Sequence, residues 1–300
     1  MNNSAGAVFS GSIPEKYDRY LGPVYFEPYA LDLVSRVDVD KAQSVLEIAC
    51  GTGRVTRHLK RLLRPGARLV ATDINPDMLA VAKERVPVSD GVAADGAGAT
   101  VVDGEAGMSG ARNEAMGVTL EWQTVDAQTL PFPDEHFDLV VCQFGVMFVP
   151  DKPKAFAEAF RVLKKGGVFL FNTWDKKENN SFSDTGSRVI ERFFPNKPPG
   201  PSGAPGSMSD EEELRALCSN AGFGSIQTEL VKKQAISPSA RDITIGMIEG
   251  SANYAEVRAE GEVRAKEIMD AVEKAIAAKY GDHPAVGALQ AFVCRAEKVK

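Results

Sequence analysis

The sequence predicts an α/β fold: a doubly wound, mostly parallel sheet with helices on both faces. Three observations carry the prediction. Residues 45–56, VLEIACGTGRVT, run from an apolar strand through a Gly-x-Gly turn into a helix. Residues 68–73, RLVATD, form a second apolar run, ending in an acid about 20 residues beyond the glycines, where an acid accepts bonds from a ribose. Strand-like and helix-like segments then alternate as far as Trp174, the order that sets parallel strands side by side with helices as crossovers.

The elements follow in order. Residues 1–12 are small and polar, and are expected to be disordered. Residues 13–40 form an N-terminal cap segment in which Tyr17, Tyr20, Tyr25, Phe26 and Tyr29 lie close together. Within it, 24–37 reads as a helix, with Phe26, Ala30, Leu33, Val34 and Val37 at near-helical spacing. The sheet core is assigned to 41–174. Val45, Leu46 and Ile48 make its first strand apolar on both faces, as a buried parallel strand requires. Gly51 and Gly53 admit backbone conformations closed to other residues and let a ligand lie against the main chain. The helix from Arg54 begins with free N–H groups. Asn75 and Pro76 start the helix after the second strand.

Residues 87–117 are rich in Gly and Ala with no sustained period, and read as a flexible insertion. A third strand, 120–125, ends at Asp126-Ala127. Residues 130–138, LPFPDEHFD, lead into a fourth at 139–144. Asp151 caps a helix over 152–163 with Phe156, Ala159, Phe160 and Leu163 as its buried stripe. In LKKGGVFLFNTW, 163–174, that helix stops at Gly166-Gly167 and a fifth strand follows. Residues 175–300 are assigned to the same domain. There 175–206 is polar, then rich in Pro and Gly, and reads as a linker or lid without regular structure. A helix over 210–221, strands over 225–236 and 288–296, and an amphipathic helix marked by Ile268, Val272, Ala275 and Ile276 complete the chain.

Composition narrows the function. The chain has 300 residues, 44% of them hydrophobic, enough for one large core. Its net charge is −6 and no long Lys/Arg block is present, which argues against a nucleic-acid partner. Cys50, Cys142, Cys218 and Cys294 are widely spaced and read as reduced core residues of a cytoplasmic protein. No apolar run is long enough to span a membrane, and the N-terminus lacks the basic start and apolar core of a signal peptide. No Cys/His spacing marks a metal site.

Two ligand classes compete for the glycine turn. A dinucleotide fingerprint needs a third glycine where Thr56 stands. Glu47, just before the turn, would repel a pyrophosphate but suits an ammonium or sulfonium group. S-adenosylmethionine carries both and has no phosphate. Glu47–Gly53, E-x-A-C-G-T-G, resembles the first motif of class I S-adenosylmethionine-dependent methyltransferases, with Ala49 in place of the first glycine. Asp73, Asp126-Ala127, 130–144 and 163–174 are similar to the later blocks, in the family's order. The nearest group is the type 11 small-molecule methyltransferases, which includes the ubiquinone and menaquinone C-methyltransferases; the resemblance covers 13–174 well and the remainder loosely.

The resemblance implies seven strands, the last antiparallel, and S-adenosylmethionine as cofactor with S-adenosylhomocysteine as product and no metal. It places cofactor contacts at Glu47, Ala49, Gly51, Gly53 and Asp73, with Asp126 and the backbone of Ala127 at the adenine edge. Ile74 and Met78 are placed to pack on an adenine face, Tyr17 to fold over the methionine part, and Phe144 to pack near the methyl group. A helical cap is expected from 13–37 and parts of 175–206 and 241–280. The cap is aromatic, so the expected acceptor is a small apolar or aromatic molecule; core packing explains each of these aromatics equally well. Methyl transfer is an in-line displacement that positioning can drive without a base. None of His58, His136 and His283 stands where a base is needed, so the catalytic residue is left open. Two alternatives stay open: a module that holds the cofactor without turnover, and a nicotinamide-dependent oxidoreductase.

Overall fold

A computed structural model describes residues 11–87, 117–195 and 206–299. The expected disordered N-terminus (except 11 and 12), the interior of the expected insertion and 196–205 of the expected linker lie outside the described residues. Seven strands, β1 (Ser44–Ile48), β2 (Arg68–Asp73), β3 (Thr119–Thr124), β4 (Phe137–Gln143), β5 (Leu163–Trp174), β6 (Ser225–Ser237) and β7 (Ala285–Glu297), make one sheet in the order 3-2-1-4-5-7-6. β1 to β5 pair in parallel, and β7 runs antiparallel to both β5 and β6. β1 and β2 are buried along nearly their whole length, which is why they read as continuous apolar runs. The strand order reverses between β1 and β4, so their carboxyl ends border the crevice where ligands bind in such sheets.

Helices cover both faces. α5 (Lys152–Val162) lays Phe156 against Phe169 and Phe171 of β5, with ring centroids 5.5 and 5.2 Å apart. α2 (Glu27–Ser35) lays Tyr29 against Trp174, 5.4 Å away. Trp174 is out of phase with Phe169 and Phe171, so the two helices lie on opposite faces. α3 (Arg54–Leu62) and α4 (Pro76–Arg85) follow β1 and β2. Asn75 caps α4 by accepting from the N–H groups of Asp77 and Met78 at 2.8 and 3.3 Å.

The N-terminal cap is helical from Ile13 onward, earlier than the expected start at Val24. A short α1 (Ile13–Lys16) leads into a ten-residue π-helical stretch, Tyr17–Phe26, and then into α2. Its bed is α8 (Ala240–Glu249), capped by Ser239, which accepts from Asp242 N–H at 2.9 Å, and lying almost wholly within the stretch 241–280 expected to help form the cap. A Cβ built on Gly246 would stand 2.9 Å from Tyr20 Cβ, and one on Gly250 would stand 2.9 Å from the Tyr17 nitrogen. α9 (Asn253–Ala259) and α10 (Glu262–Tyr280) complete this layer, while α7 (Glu211–Ala221), capped by Asp210, packs against α5.

Two further expectations are corrected. The polar stretch after Trp174 is not a structureless linker: it holds a 3-10 turn, Lys177–Asn179, and a 13-residue helix α6 (Ser181–Phe193). Only Phe182, Asp184, Thr185, Gly186 and Val189 of α6 are buried, so a narrow stripe hides in a polar composition. The helix before β5 does not run to Gly166-Gly167; it ends at Val162, and the strand passes through both glycines with a register irregularity against β4. β6 and β7 are 13 residues each, and their pairing continues to Ser237↔Ala285, six positions beyond Trp174↔Ala291 where β5 stops. α6 seats on that overhang: Ala288 N–H donates to Ser181 Oγ at 2.8 Å and Gln290 N–H to Asn180 Oδ1 at 3.0 Å.

Candidate functional site

The expected contact residues gather at the carboxyl ends of β1 to β4. Ala49, Gly51 and Gly53 all hold left-handed backbone, with φ of 53°, 56° and 78°. That conformation is free for glycine and costly for Ala49, which explains why a glycine is the motif's usual choice there. The chain leaving β4 presses on the same turn: a Cβ at Gly145 would stand 2.4 Å from Ala49 Cβ and 2.8 Å from Cys142 Sγ.

Asp73 ties β2 to the turn. Its Oδ2 accepts from Gly51 N–H at 2.8 Å and its Oδ1 from Asn75 N–H at 2.8 Å. Burial raises its pKa, and the N–H groups of Asn75, Gly51 and Ile74 pull the other way. The carboxylate keeps acceptor capacity for a further donor. Ile74 beside it is 36% exposed, an apolar shelf, whereas Met78 is buried. Val125 N–H donates to Asp73 O at 3.0 Å, which brings Asp126 and the half-buried Ala127 alongside. Asp126 accepts from the N–H and side-chain amide of Gln128 at 2.9 and 3.0 Å.

Across the crevice, Phe144 also has left-handed backbone, φ 51°. Its N–H donates to Asn172 Oδ1 at 2.9 Å and its ring stacks on Trp174, with centroids 3.7 Å apart and planes 8° apart. Tyr29 meets both rings edge-on at 5.4 Å, and Phe26 lies 5.9 Å from Phe144. Tyr17, half-buried in the cap, stacks on Phe26 at 4.7 Å and sits near enough to Asp73 to sense its charge. Asn172 Nδ2 and Thr173 Oγ1, at the end of β5, are buried with no hydrogen-bond partner among the described residues.

Glu47 stands apart from this set. It was expected to face a cationic ligand. Instead it is 1% exposed and accepts from Thr56 Oγ1 of α3 at 2.6 Å. Strand alternation turns it under the helix rather than up to the crevice rim. Burial pushes its carboxyl up to about 8; the Thr56 bonds oppose this and the nearby charge of Asp73 adds to it.

Sequence reasoning missed Asp18, Thr52 and Arg54, which join the cap to the turn. Their bonds cross 34 and 36 positions of chain, and no local pattern marks them. The histidines are occupied elsewhere: His58 Nε2 meets Glu27 Oε1 at 2.9 Å, His136 meets Arg68 at 3.0 Å, and the exposed His283 meets Asp282 at 3.2 Å. The four cysteines are free and buried. Among the described residues, no cluster of three or more His, Cys, Asp or Glu side chains is placed to hold a metal, and no helix is long and apolar enough to cross a membrane.

Residues 46–171 match the family model for a methyltransferase domain. The chain is 28% identical over 198 residues to the ubiquinone/menaquinone biosynthesis C-methyltransferase of Pectobacterium carotovorum, covering 63% of this chain and 69% of that protein. It is 34% identical over 151 residues to the enzyme of the same name from Pseudomonas savastanoi, covering 50% of this chain and 49% of that one. Among solved structures, the YcgJ protein of Bacillus subtilis superposes with a TM-score of 0.54 at 19% identity, over 91% of this chain and 99% of that one. A phosphoethanolamine N-methyltransferase of Haemonchus contortus, solved with S-adenosylhomocysteine, gives 0.54 at 17% identity, over 96% and 57%. The two structures share the fold; the sequence matches concern the chemistry, and they displace the nicotinamide alternative. A reversed seventh strand, a broken dinucleotide fingerprint and a methyltransferase domain that begins at the glycine turn agree: the chain carries a methyltransferase domain and is similar to the class I S-adenosylmethionine-dependent methyltransferases.

Proposed function

We propose that the chain methylates a small, flat, apolar or aromatic acceptor, with the cofactor along the carboxyl ends of β1, β2 and β4. The observation that carries this is the joint between Asp73 and Gly51 at 2.8 Å, which sets the acid and the open turn side by side. In this reading Asp73 takes the ribose hydroxyls on its remaining lone pairs, and Ile74 and Met78 flank the adenine. Asp126 and the Ala127 N–H serve the adenine edge. Gly51 and Gly53 admit the methionine part beneath Tyr17. Ala49 sets the turn's entry and Phe144 packs beside the methyl. Glu47 supports the floor through Thr56 rather than by contact.

The residues present fit such a group: spare acceptor capacity on Asp73, an apolar shelf at Ile74, and an unpartnered amide donor on Asn172. S-adenosylmethionine supplies an electrophilic methyl on a positively charged sulfur, which leaves as a neutral thioether. The chain's part is to hold donor and acceptor in line and to exclude water, and alignment of this kind is worth up to ~7–11 kcal/mol. In this reading Phe144 and Trp174, with Tyr25, Phe26 and Tyr29 packed against them, form the aromatic wall on the acceptor side. The relatives named for ubiquinone and menaquinone biosynthesis support a ring-shaped acceptor of that sort. The acidic charge balance and the free cysteines support a cytoplasmic enzyme acting on small molecules rather than on nucleic acid.

A thermal melt with S-adenosylhomocysteine and with NAD tests the cofactor assignment. Ligand at about 100 times its Kd adds ~2.7 kcal/mol. Stabilisation by S-adenosylhomocysteine alone is the expected result, and stabilisation by NAD alone overturns it. Methyl transfer to a panel of quinols and phenols then tests the acceptor class; labelling of none of them removes the ring-shaped acceptor.

A further inference from the structure

Asp18 and Arg54 have no part in the contacts assigned above, yet they join the glycine turn to the cap. Thr52, between Gly51 and Gly53, is 3% exposed and donates from Oγ1 to Asp18 Oδ1 at 2.9 Å. The same oxygen accepts from Arg54 Nη2 at 2.8 Å, and that nitrogen also donates to the Asp18 backbone oxygen at 3.0 Å. Arg54 Nη1 donates to Glu27 Oε2 at 2.9 Å, and Arg57 bonds the same carboxylate. Arg54 is 10% exposed, and it lies so close to the π-helical stretch that a Cβ at Gly22 would stand 2.0 Å from Nη2. A glycine and a widened helical turn are what admit the guanidinium there, and π-turns concentrate at functional sites.

The turn itself is short of other anchors. Gly51 N–H goes to Asp73 and Gly53 N–H to Cys50 O at 3.0 Å. Among the described residues, the bond to Asp18 is the side-chain hydrogen bond that holds Thr52. With a left-handed glycine on each side, the two peptides flanking Thr52 have wide rotational freedom unless its hydroxyl is fixed. A carboxylate bound to a buried guanidinium is a rigid acceptor for that purpose.

We propose that Asp18 is a positioning residue for the cofactor. It holds Thr52, and through Thr52 the shape of the ligand-facing turn, while Arg54 holds Asp18. The turn therefore takes its binding shape only with the cap clasped over α3. This rests on the placement of the cofactor against Gly51 and Gly53.

S-adenosylhomocysteine binding by calorimetry tests it, on Thr52→Val, Thr52→Ser, Asp18→Ala and the Thr52→Val/Asp18→Ala double variant, each first shown to be folded by a melt without ligand. Thr52→Val, which keeps the shape and loses the hydroxyl, is expected to bind on the order of tenfold more weakly, one hydrogen bond's worth. Thr52→Ser is expected within twofold of wild type, and the double variant no weaker than Asp18→Ala. Lower melting temperatures with unchanged affinity would show a merely structural contact and overturn the proposal, as would losses that multiply in the double variant. If Asp18→Ala does not fold, the contrast between valine and serine at position 52 decides alone. Failure of the wild-type protein to bind S-adenosylhomocysteine strikes the cofactor placement itself, a distinct outcome.

Discussion

Glu47→Gln is expected to make the protein more stable in mild alkali. The Glu47 carboxyl titrates near 8 rather than its ordinary 4.5, because it is buried beside Asp73 under α3. Between those two values the folded protein keeps a proton that the unfolded chain has released, so stability falls as pH rises through that window and levels off on either side. A tenfold change in proton affinity is worth 1.36 kcal/mol, so the full loss between about pH 4.5 and pH 8 is about 5 kcal/mol. Glutamine has nearly the same volume, and its Oε1 can accept the 2.6 Å bond from Thr56 Oγ1. Urea unfolding of both proteins at intervals from pH 4 to 9 isolates the effect, since every other titrating group is common to the pair. The two stabilities should lie close at pH 4 and separate steadily, with the variant ahead by several kcal/mol at pH 9. Parallel curves across the window would refute the buried, proton-holding Glu47.

Asp73→Asn keeps one acceptor for the backbone and loses a charged one; S-adenosylhomocysteine should bind about 10- to 100-fold more weakly, measured by calorimetry. Ala49→Gly releases a side chain held at φ 53°, and the gain of ~1–2 kcal/mol, less the entropy of an added glycine, leaves a stabilisation of up to ~1 kcal/mol in thermal unfolding. Trp174→Ala removes the ring stacked on Phe144 and met edge-on by Tyr25 and Tyr29; a loss of about 3 kcal/mol is expected in denaturant unfolding, with acceptor turnover falling further than cofactor binding. Gly22→Ala drives a methyl into the Arg54 guanidinium and disturbs its pairs with Asp18 and Glu27; those carboxylates keep Arg85, Arg57 and His58, so a loss of about 1–3 kcal/mol is expected in denaturant unfolding.

What sequence revealed was what is local. The run from Val45 to the glycines, the acid closing β2 and the Asn75 cap each lie within a few residues, and the structure keeps each where it was read. Long-range geometry was invisible. Nothing in the string says that Asp18 meets Thr52, because the pairing is made by the fold of the cap over α3. Nor does E-x-A-C-G-T-G say which way Glu47 points; strand alternation against a helix decides that. α6 was lost because its buried stripe includes Asp184, Thr185 and Gly186, small or polar residues that sit inside only because Met247 and the overhanging strands are there to meet them.

The overhang of β6 and β7 links two distant parts of the molecule. The glycine turn is fixed by β1, β2 and β4, while α6 and the chain into α8 stand on a two-stranded ribbon extending past the rest of the sheet. Adding or removing two residues on each ribbon strand would slide that platform by roughly 7 Å, at about 3.4 Å per residue, and would carry with it the cap that rests on Gly246 and Gly250. Ribbon length is thus coupled to the shape of the turn through Asp18 and Thr52, so the two ends of the crevice have to change together.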